Sequence, residues 1–251
     1  KENTDSKVVM ETSSVKDMFK ALFRNDQALS VVGSVVLFYL SYFMATQVFL
    51  YFFKYDVPFA GNYVPGVSPD PTATWEGTYT IFTTTTLVCM ILGMMVVYPL
   101  LRKKLSNPTI FKMVLITSIA AYVVLLITCL TGNSNCLPIL IVCGIFIYMG
   151  NGLIGVLCTL FLANSVDYGQ LKTGNREESM IFSMQTFVVK AGSGFAAFVA
   201  GLGIEAAGII SDPVNKDIVL QQSSQTVMSL DLLITIPAII CLILSFLLFK
   251  F

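Results

Sequence analysis

Residues 108–130 read PTIFKMVLITSIAAYVVLLITCL, a run of 23 residues whose one charged side chain is Lys112. A membrane-spanning helix needs about 20 consecutive and mostly apolar residues, so this segment predicts a span. Five further segments share its character, and the six predicted spans cover residues 28–54, 77–101, 108–130, 137–164, 179–209 and 228–249. The sequence therefore predicts an all-α membrane protein with six transmembrane helices.

The composition supports the same class and excludes several others. Of the 251 residues 55% are hydrophobic and 12% are charged, whereas a soluble domain carries about 25% charged residues. The net charge is zero, so no basic surface indicates a nucleic-acid partner. The chain has no histidine, which removes histidine metal sites, Ser/His triads and histidine proton relays. With no nucleophile–base pair evident, we expect neither an enzyme nor a cofactor, and we expect the lipid bilayer as the surrounding solvent.

The six cysteines form no CxxC pair, and five of them lie in apolar runs. Cysteine in such a setting behaves as a small hydrophobic residue. The pattern predicts free thiols, with neither a disulfide framework nor a zinc site. The residues are Cys89, Cys129, Cys136, Cys143, Cys158 and Cys241.

The basic residues predict the orientation, because cytoplasmic loops carry an excess of lysine and arginine. Twelve of the fifteen Lys and Arg residues fall on one side of the predicted spans, and Lys54 and Lys216 fall on the other. Both termini and the loops at 102–107 and 165–178 are therefore predicted to be cytoplasmic. The loops at 55–76, 131–136 and 210–227 are predicted to face outwards, in a multi-pass protein of the cell membrane.

The first 27 residues differ from the rest, since they carry ten charges and no apolar core of the kind found in a signal peptide. The chain also begins with Lys1 rather than methionine, so we expect a piece of a longer polypeptide. Residues 14–27 mix apolar and basic side chains at helical spacing. Two interpretations stay open for them, a helix on the cytoplasmic membrane surface and a solvated linker helix.

Lys190 lies near the middle of the apolar stretch 180–210, which contains no other cation. A charge at the bilayer centre costs about 2.5–3.5 kcal/mol and marks a candidate functional site. Thr186 is four residues away and so shares a helix face with Lys190, and Gln185 is close enough to line the same cavity. The spans offer no carboxylate at equal depth, since Glu205 is about 22 Å further along a helix. The partner of Lys190 is therefore predicted to be water or a carboxylate elsewhere.

Small residues follow Lys190 along the same span, at positions where close helix packing in lipid is expected. Spacing of four residues places most of them on one face. The predicted packing positions are Gly192, Gly194, Ala196 and Ala200.

Residues 164–179, NSVDYGQLKTGNREES, form a charged segment between two spans and are predicted to be a turn. Two patterns lie in and directly after this segment, DYGxxKTGxRxE from Asp167 and FSxQTFVVKxGSxFAAF from Phe182. Together they resemble the glycoside–pentoside–hexuronide cation symporters of the major facilitator superfamily. The resemblance covers the whole chain. It implies helices seven to twelve of a twelve-helix transporter, with residues 1–27 as the cytoplasmic middle loop and residues 28–251 as the C-terminal six-helix bundle.

The family resemblance also implies roles for individual residues. Lys190 matches a lysine that faces the cation site and pairs with carboxylates of the N-terminal half, and Thr186 matches a threonine beside that site. Na⁺ near Thr186 is the sole metal candidate. The charged inner gate of the family corresponds to a set of residues in or next to the turn: Asp167, Tyr168, Lys172, Arg176 and Glu178. Three departures are notable, because the family often has an acid at Asn164 and Glu at Gln170, and a tryptophan of one member falls at Gly155.

The resemblance implies symport of a glycoside or oligosaccharide with Na⁺ or H⁺ by alternating access, with the N-terminal six-helix half as partner. Two alternatives stay open. One is a family member that carries a solute other than a sugar, because a fold does not fix its cargo. The other is a membrane accessory subunit without transport activity, in which Lys190 docks an acidic residue of a partner.

Overall fold

The protein is described by a computed structural model, which covers residues 23, 26–58, 75–173, 178–210 and 219–249. Its helices are α1 (Asp26–Tyr55), α2 (Trp75–Leu92), α3 (Tyr98–Arg102), α4 (Asn107–Leu130), α5 (Leu137–Thr173), α6 (Glu178–Ala206) and α7 (Ser224–Leu248). A π-helical turn, Gly93–Val97, joins α2 to α3. Within the described residues, six segments are long and apolar enough to cross a membrane, with α2 and α3 forming one of them. The prediction of an all-α protein with six membrane-spanning helices is confirmed.

The π-helical turn packs against α5. A Cβ atom at Gly93 would lie 2.5 Å from Cγ of Met149, so a larger residue here would force the Met149 side chain to move. Pro99 follows at the start of α3, and proline has no N–H to donate to the preceding turn. An extra residue in the turn accommodates both constraints, as is common for π-bulges inside α-helices.

Side-chain hydroxyls satisfy backbone groups within and before the spans. Thr83 and Thr86 donate to the carbonyls four residues earlier, at 2.8 and 2.9 Å, as expected for threonines in lipid. Helix α4 begins at Asn107, one residue before the predicted span 108–130. Ser106 is its N-cap, because the Ser106 hydroxyl accepts the N–H of Thr109.

Two helices organise the bundle. α1 packs most extensively on α7 and α6, and α5 packs on α2 and α4, while α4 also contacts α7. Two hydroxyls join α1 to α7 over long sequence separations: Ser30 donates to the Leu248 carbonyl at 2.8 Å and Ser245 to the Ser34 carbonyl at 2.7 Å. α6 is the least covered span, since 12% of its apolar stretch is buried against 50% of that of α1.

Some predictions on the loops are wrong and others fall outside the described residues. α5 continues to Thr173, nine residues beyond the predicted end of the fourth span, so the segment from 164 onward is mainly helix rather than a turn. A helix can continue past the membrane core as a segment of mixed polarity, and hydropathy alone does not detect this extension. The helix predicted over residues 14–27 lies almost entirely outside the described residues, and so does most of the predicted outer loop 55–76.

Candidate functional site

The predicted cation site lies in an open groove on α6. Thr186 and Lys190 occupy successive turns of this helix and are both exposed. The Thr186 hydroxyl donates to the Phe182 carbonyl at 3.1 Å, and the Ser193 hydroxyl donates to the Lys190 carbonyl at 2.8 Å. Two aromatic rings, two hydroxyls and the ammonium group therefore share one concave surface, lined by Phe182, Ser183, Thr186, Phe187 and Lys190.

The Lys190 ammonium has no ion-pair partner among the carboxylates that the structure describes. Glu205, the other charged residue in the C-terminal part of α6, is exposed fifteen residues further on. Gln185, which the sequence predicts to line the same cavity as Thr186 and Lys190, is half-buried and does not line the groove. The groove thus brings together Thr186 and Lys190 but not Gln185, and the roles of all three stay predictions.

The small residues of α6 fall on two different faces. Ala196 and Ala200 are fully buried, and a Cβ at Gly192 would lie 3.9 Å from Leu40 of α1. A Cβ at Gly194 would meet nothing within 4 Å among the described residues, so the packing role of this residue stays a prediction. Two residues along a helix correspond to a rotation of about 200°, so Gly194 points away from the face that Gly192, Ala196 and Ala200 share.

A second group of side chains forms an aromatic wall between α1 and α5. The rings of Tyr42 and Tyr148 meet edge to face with centroids 5.3 Å apart, and Phe82 of α2 contacts Tyr148 at 6.1 Å. Tyr39 stands beside Gly155, where an added Cβ would lie 3.8 Å from the tyrosine hydroxyl. Tyr39, Tyr42 and Tyr148 are half-buried, so the wall combines apolar ring faces with hydroxyl groups.

The predicted gate residues lie around the end of α5 and the start of α6. Asp167 and Tyr168 are on helix α5, exposed and half-buried respectively, and Glu178 is exposed at the first residue of α6. For Lys172 the helical backbone is described without its side chain, and Arg176 lies outside the described residues. The charged network of the gate stays a prediction.

Sequence reasoning missed a buried acidic cluster at the opposite end of the bundle. Asp56 follows the last residue of α1, Cys129 is near the end of α4 and Asp231 is in the second turn of α7. Their ligand atoms all lie within 4.8 Å of one another. Burial raises the pKa of the Asp56 carboxyl to about 6, while hydrogen bonds with Ser134 and Asp231 oppose this rise. No spacing signature could have found residues separated by more than 70 positions.

All six cysteines are free thiols, as predicted. Cys129, Cys143 and Cys158 are buried. The location of Cys129 beside two carboxylates nevertheless distinguishes it from the other five, which the description as a small hydrophobic residue does not capture.

Similarity to a family of known proteins extends over almost the whole chain. A family model described as MFS/sugar transport protein matches residues 2–251. The chain belongs to this family. The membership confirms the resemblance to sugar symporters of the major facilitator superfamily that the motifs around Asp167 and Lys190 indicated, and it identifies a multi-pass membrane protein.

Individual members of the family are similar to the chain at moderate identity. An isoprimeverose transporter of Lactiplantibacillus pentosus is 28% identical over 79% of this chain and 37% of its own length. A lactose permease of Leuconostoc lactis is 25% identical over 87% of this chain and 30% of its length. A raffinose carrier protein of Pediococcus pentosaceus is 23% identical over 76% and 26%, respectively. The chain therefore matches about a third of the length of these relatives, whose names are those of transporters and not of enzymes.

Proposed function

We propose that the protein is the C-terminal half of a secondary transporter that carries a glycoside or related sugar together with Na⁺ or H⁺. Family membership supports this proposal, as do the names of the relatives, which are said to carry isoprimeverose, lactose and raffinose. Secondary transporters of this class bind their substrate near the bilayer midplane between two repeats and rock to give alternating access. The partner of this chain is the N-terminal six-helix half.

The single observation that carries the proposal is the position of Lys190. Its ammonium faces an open groove on α6, the span that the rest of the described chain covers least. No described carboxylate pairs with it, and a lone charge within a span costs about 2.5–3.5 kcal/mol. A polar surface of the other half, with acidic residues at equal depth, would remove most of this cost. The groove is accordingly one wall of the interface between the halves.

The coupling mechanism follows from competition for those acids. Without the coupling ion, Lys190 neutralises acidic residues of the N-terminal half. Binding of Na⁺ or H⁺ to the same acids supplies the positive charge and releases Lys190, whose groove then becomes available to the sugar. This exchange couples sugar transport to ion transport, because one cation at a time neutralises the acidic residues. That cation is either the Lys190 ammonium or the transported ion.

The aromatic wall provides the sugar-facing surface of this half. Pyranose rings present apolar C–H faces that pack on aromatic rings, and their hydroxyls need hydrogen-bond partners when they leave water. Tyr39 and Tyr42 of α1 and Tyr148 of α5 offer both features. With glycine at position 155, the space beside the Tyr39 hydroxyl stays open to a substrate.

The basic residues orient this transporter with both ends of the chain in the cytoplasm of a cell-membrane protein. Asp167, Tyr168 and Glu178 then lie at the cytoplasmic mouth, where exposed ion pairs are worth about 0–1 kcal/mol each. Weak pairs of this kind suit a gate, because they favour one state without preventing the other. Lys172 and Arg176 belong to the same proposed network.

The test is cation-coupled sugar uptake by the complete transporter carrying Lys190→Ala. The proposal expects uptake to lose its dependence on the Na⁺ or H⁺ gradient, and expects Lys190→Arg to retain part of it. Lys103→Ala is the matched control, since it removes an exposed cation from the turn after α3 without altering α6. Gradient-dependent uptake of the parental size in Lys190→Ala contradicts the mechanism. Competition by a panel of sugars and non-sugar solutes then identifies the cargo.

A further inference from the structure

Three helices and one turn converge on the acidic cluster. The Asp56 N–H donates to the Phe52 carbonyl at 2.9 Å, so the last turn of α1 holds this residue in place. Gly132 has φ +68° and donates its N–H to the Cys129 carbonyl at 2.9 Å. This left-handed conformation favours glycine and ends α4. The following turn buries Ser134, whose hydroxyl donates to the Asp56 carboxylate.

The described residues place no cationic side chain beside the two buried carboxyl groups. Asp56 is 6% exposed and Asp231 is 4% exposed, and each carboxylate has one buried oxygen without a hydrogen-bond partner. Lys54 is close in sequence, but its ammonium lies over the rings of Tyr55 and Trp75 at 5.4 and 5.8 Å. Among the described residues, no lysine or arginine pairs with either carboxylate. Two buried carboxylates in contact repel one another when both are ionised, so either a shared proton or a bound cation stabilises the pair.

We propose that Asp56, Cys129 and Asp231 bind a divalent metal ion of the zinc class at this end of the bundle. The types of ligand atom, two carboxylates and one thiolate, decide which class of metal ion fits. Ca²⁺ takes six to eight oxygen ligands and Mg²⁺ prefers an octahedral shell with several waters, whereas a thiolate favours a softer ion. Zn²⁺ is bound by cysteine, histidine and carboxylate side chains in four-coordinate sites. Two carboxylates and one thiolate supply three ligands, and the Ser134 hydroxyl or a water supplies the fourth.

The distances fit such an ion after small side-chain movements. Zinc–ligand bonds of about 2.0–2.3 Å in a tetrahedral site place ligand atoms about 3.5 Å apart. The three ligand atoms of the cluster already lie within 4.8 Å of one another. Closing them around an ion therefore needs changes of about 1 Å, which rotation of the side chains provides. The ion would join α1, α4 and α7, and the inference does not depend on the transport proposal.

Metal binding by the purified full-length protein tests this site directly. After treatment with a chelator and its removal, Co²⁺ titration should give one equivalent of a thiolate-to-cobalt charge-transfer band. Zn²⁺ should displace this band. Cys129→Ser should abolish it, and Asp231→Asn should weaken binding at least about tenfold. Cys241→Ser is the matched control, because this half-buried cysteine of α7 lies outside the cluster and should leave the band unchanged.

A second readout needs no variant and applies even when Cys129→Ser does not fold. Bound Zn²⁺ should slow alkylation of Cys129 in the parental protein, measured by mass spectrometry, and leave the rate at Cys136 unchanged. Equal alkylation rates at Cys129 with and without Zn²⁺ overturn the proposal. Absence of the charge-transfer band also overturns the proposal and indicates a proton shared between Asp56 and Asp231. Persistence of the band in Cys129→Ser overturns it as well, because the metal is then bound by another thiol.

Discussion

Replacing Gly152 with alanine should separate α5 from α2 and destabilise the bundle. A Cβ at this position would lie 2.7 Å from the carbonyl oxygen of Met90 and 2.8 Å from Cγ of Met94. Ordinary contacts begin near 3.4 Å, so the two helices must part by about 0.7 Å. The Met90 oxygen belongs to the backbone and cannot rotate away. Overpacking of this kind costs about 1–3 kcal/mol.

A matched glycine allows the cost of the clash to be isolated. Gly201→Ala places a methyl group on α6 where nothing lies within 4 Å. Both variants gain the helix preference of alanine over glycine, about 0.5–1 kcal/mol, so this contribution cancels in their difference. Gly152→Ala should therefore be less stable than Gly201→Ala by about 1–3 kcal/mol, or roughly 5- to 150-fold in the unfolding equilibrium constant.

Equilibrium unfolding in mixed micelles provides the assay for these two variants. Far-UV circular dichroism follows the loss of helix, and Trp75, the single tryptophan of the chain, reports on the start of α2. The two probes should agree on the order of stability. A Gly152→Ala protein that is as stable as Gly201→Ala refutes the close α2–α5 contact at this position.

Variants at three further positions test other parts of the structure. Gln222→Ala should speed hydrogen exchange at the Ile210 amide, because the buried Gln222 amide bonds both the N–H and the carbonyl of Ile210 at 2.8 Å; its loss should cost about 1–3 kcal/mol. The second variant concerns the pH dependence of stability after metal has been removed with a chelator. The pKa of the Asp56 carboxyl is about 3.9 in the unfolded chain and about 6 in the native one, so the native state binds more protons between these pH values. The free energy of unfolding should therefore fall as pH rises through this window. Asp56→Asn should flatten that profile in thermal unfolding. Gly155→Ala should leave sugar uptake unchanged while Gly155→Trp should reduce it through collision with Tyr39; equal uptake by both variants contradicts the proposed wall.

Most of the helical architecture could be predicted because it depends on a local property of the sequence, the length of each apolar run. Continuous apolar runs of sufficient length must form helices in lipid, since every backbone group needs an internal partner. The predicted bounds of the first and third spans, 28–54 and 108–130, accordingly differ from the helices by one or two residues. For the fourth, the helix continues beyond the predicted span, 137–164, to Thr173.

The candidate site residues also divide into those that the sequence alone predicts and those that only the packing of the helices brings together. Lys190 could be singled out because a charge inside an apolar run is visible in the sequence, and Thr186 because helical spacing is regular. Asp56 and Asp231 could not be paired, since each lies at the edge of a span where carboxylates are ordinary. Only the packing of α1 and α7 brings them together with Cys129. The open side of Gly194 also depends on which face of α6 contacts α1.

The central claim is that the Lys190 groove faces an aqueous substrate path between two halves rather than lipid. Its most direct test is labelling of Lys190→Cys by a charged, membrane-impermeant thiol reagent in the complete transporter with its native cysteines replaced. Phe195→Cys is the control, because Phe195 is 58% exposed on another face of α6. We predict that position 190 is labelled, that sugar with the coupling ion changes its rate, and that position 195 reacts poorly. Lack of labelling at position 190, or a rate unaffected by sugar and ion, would contradict the account.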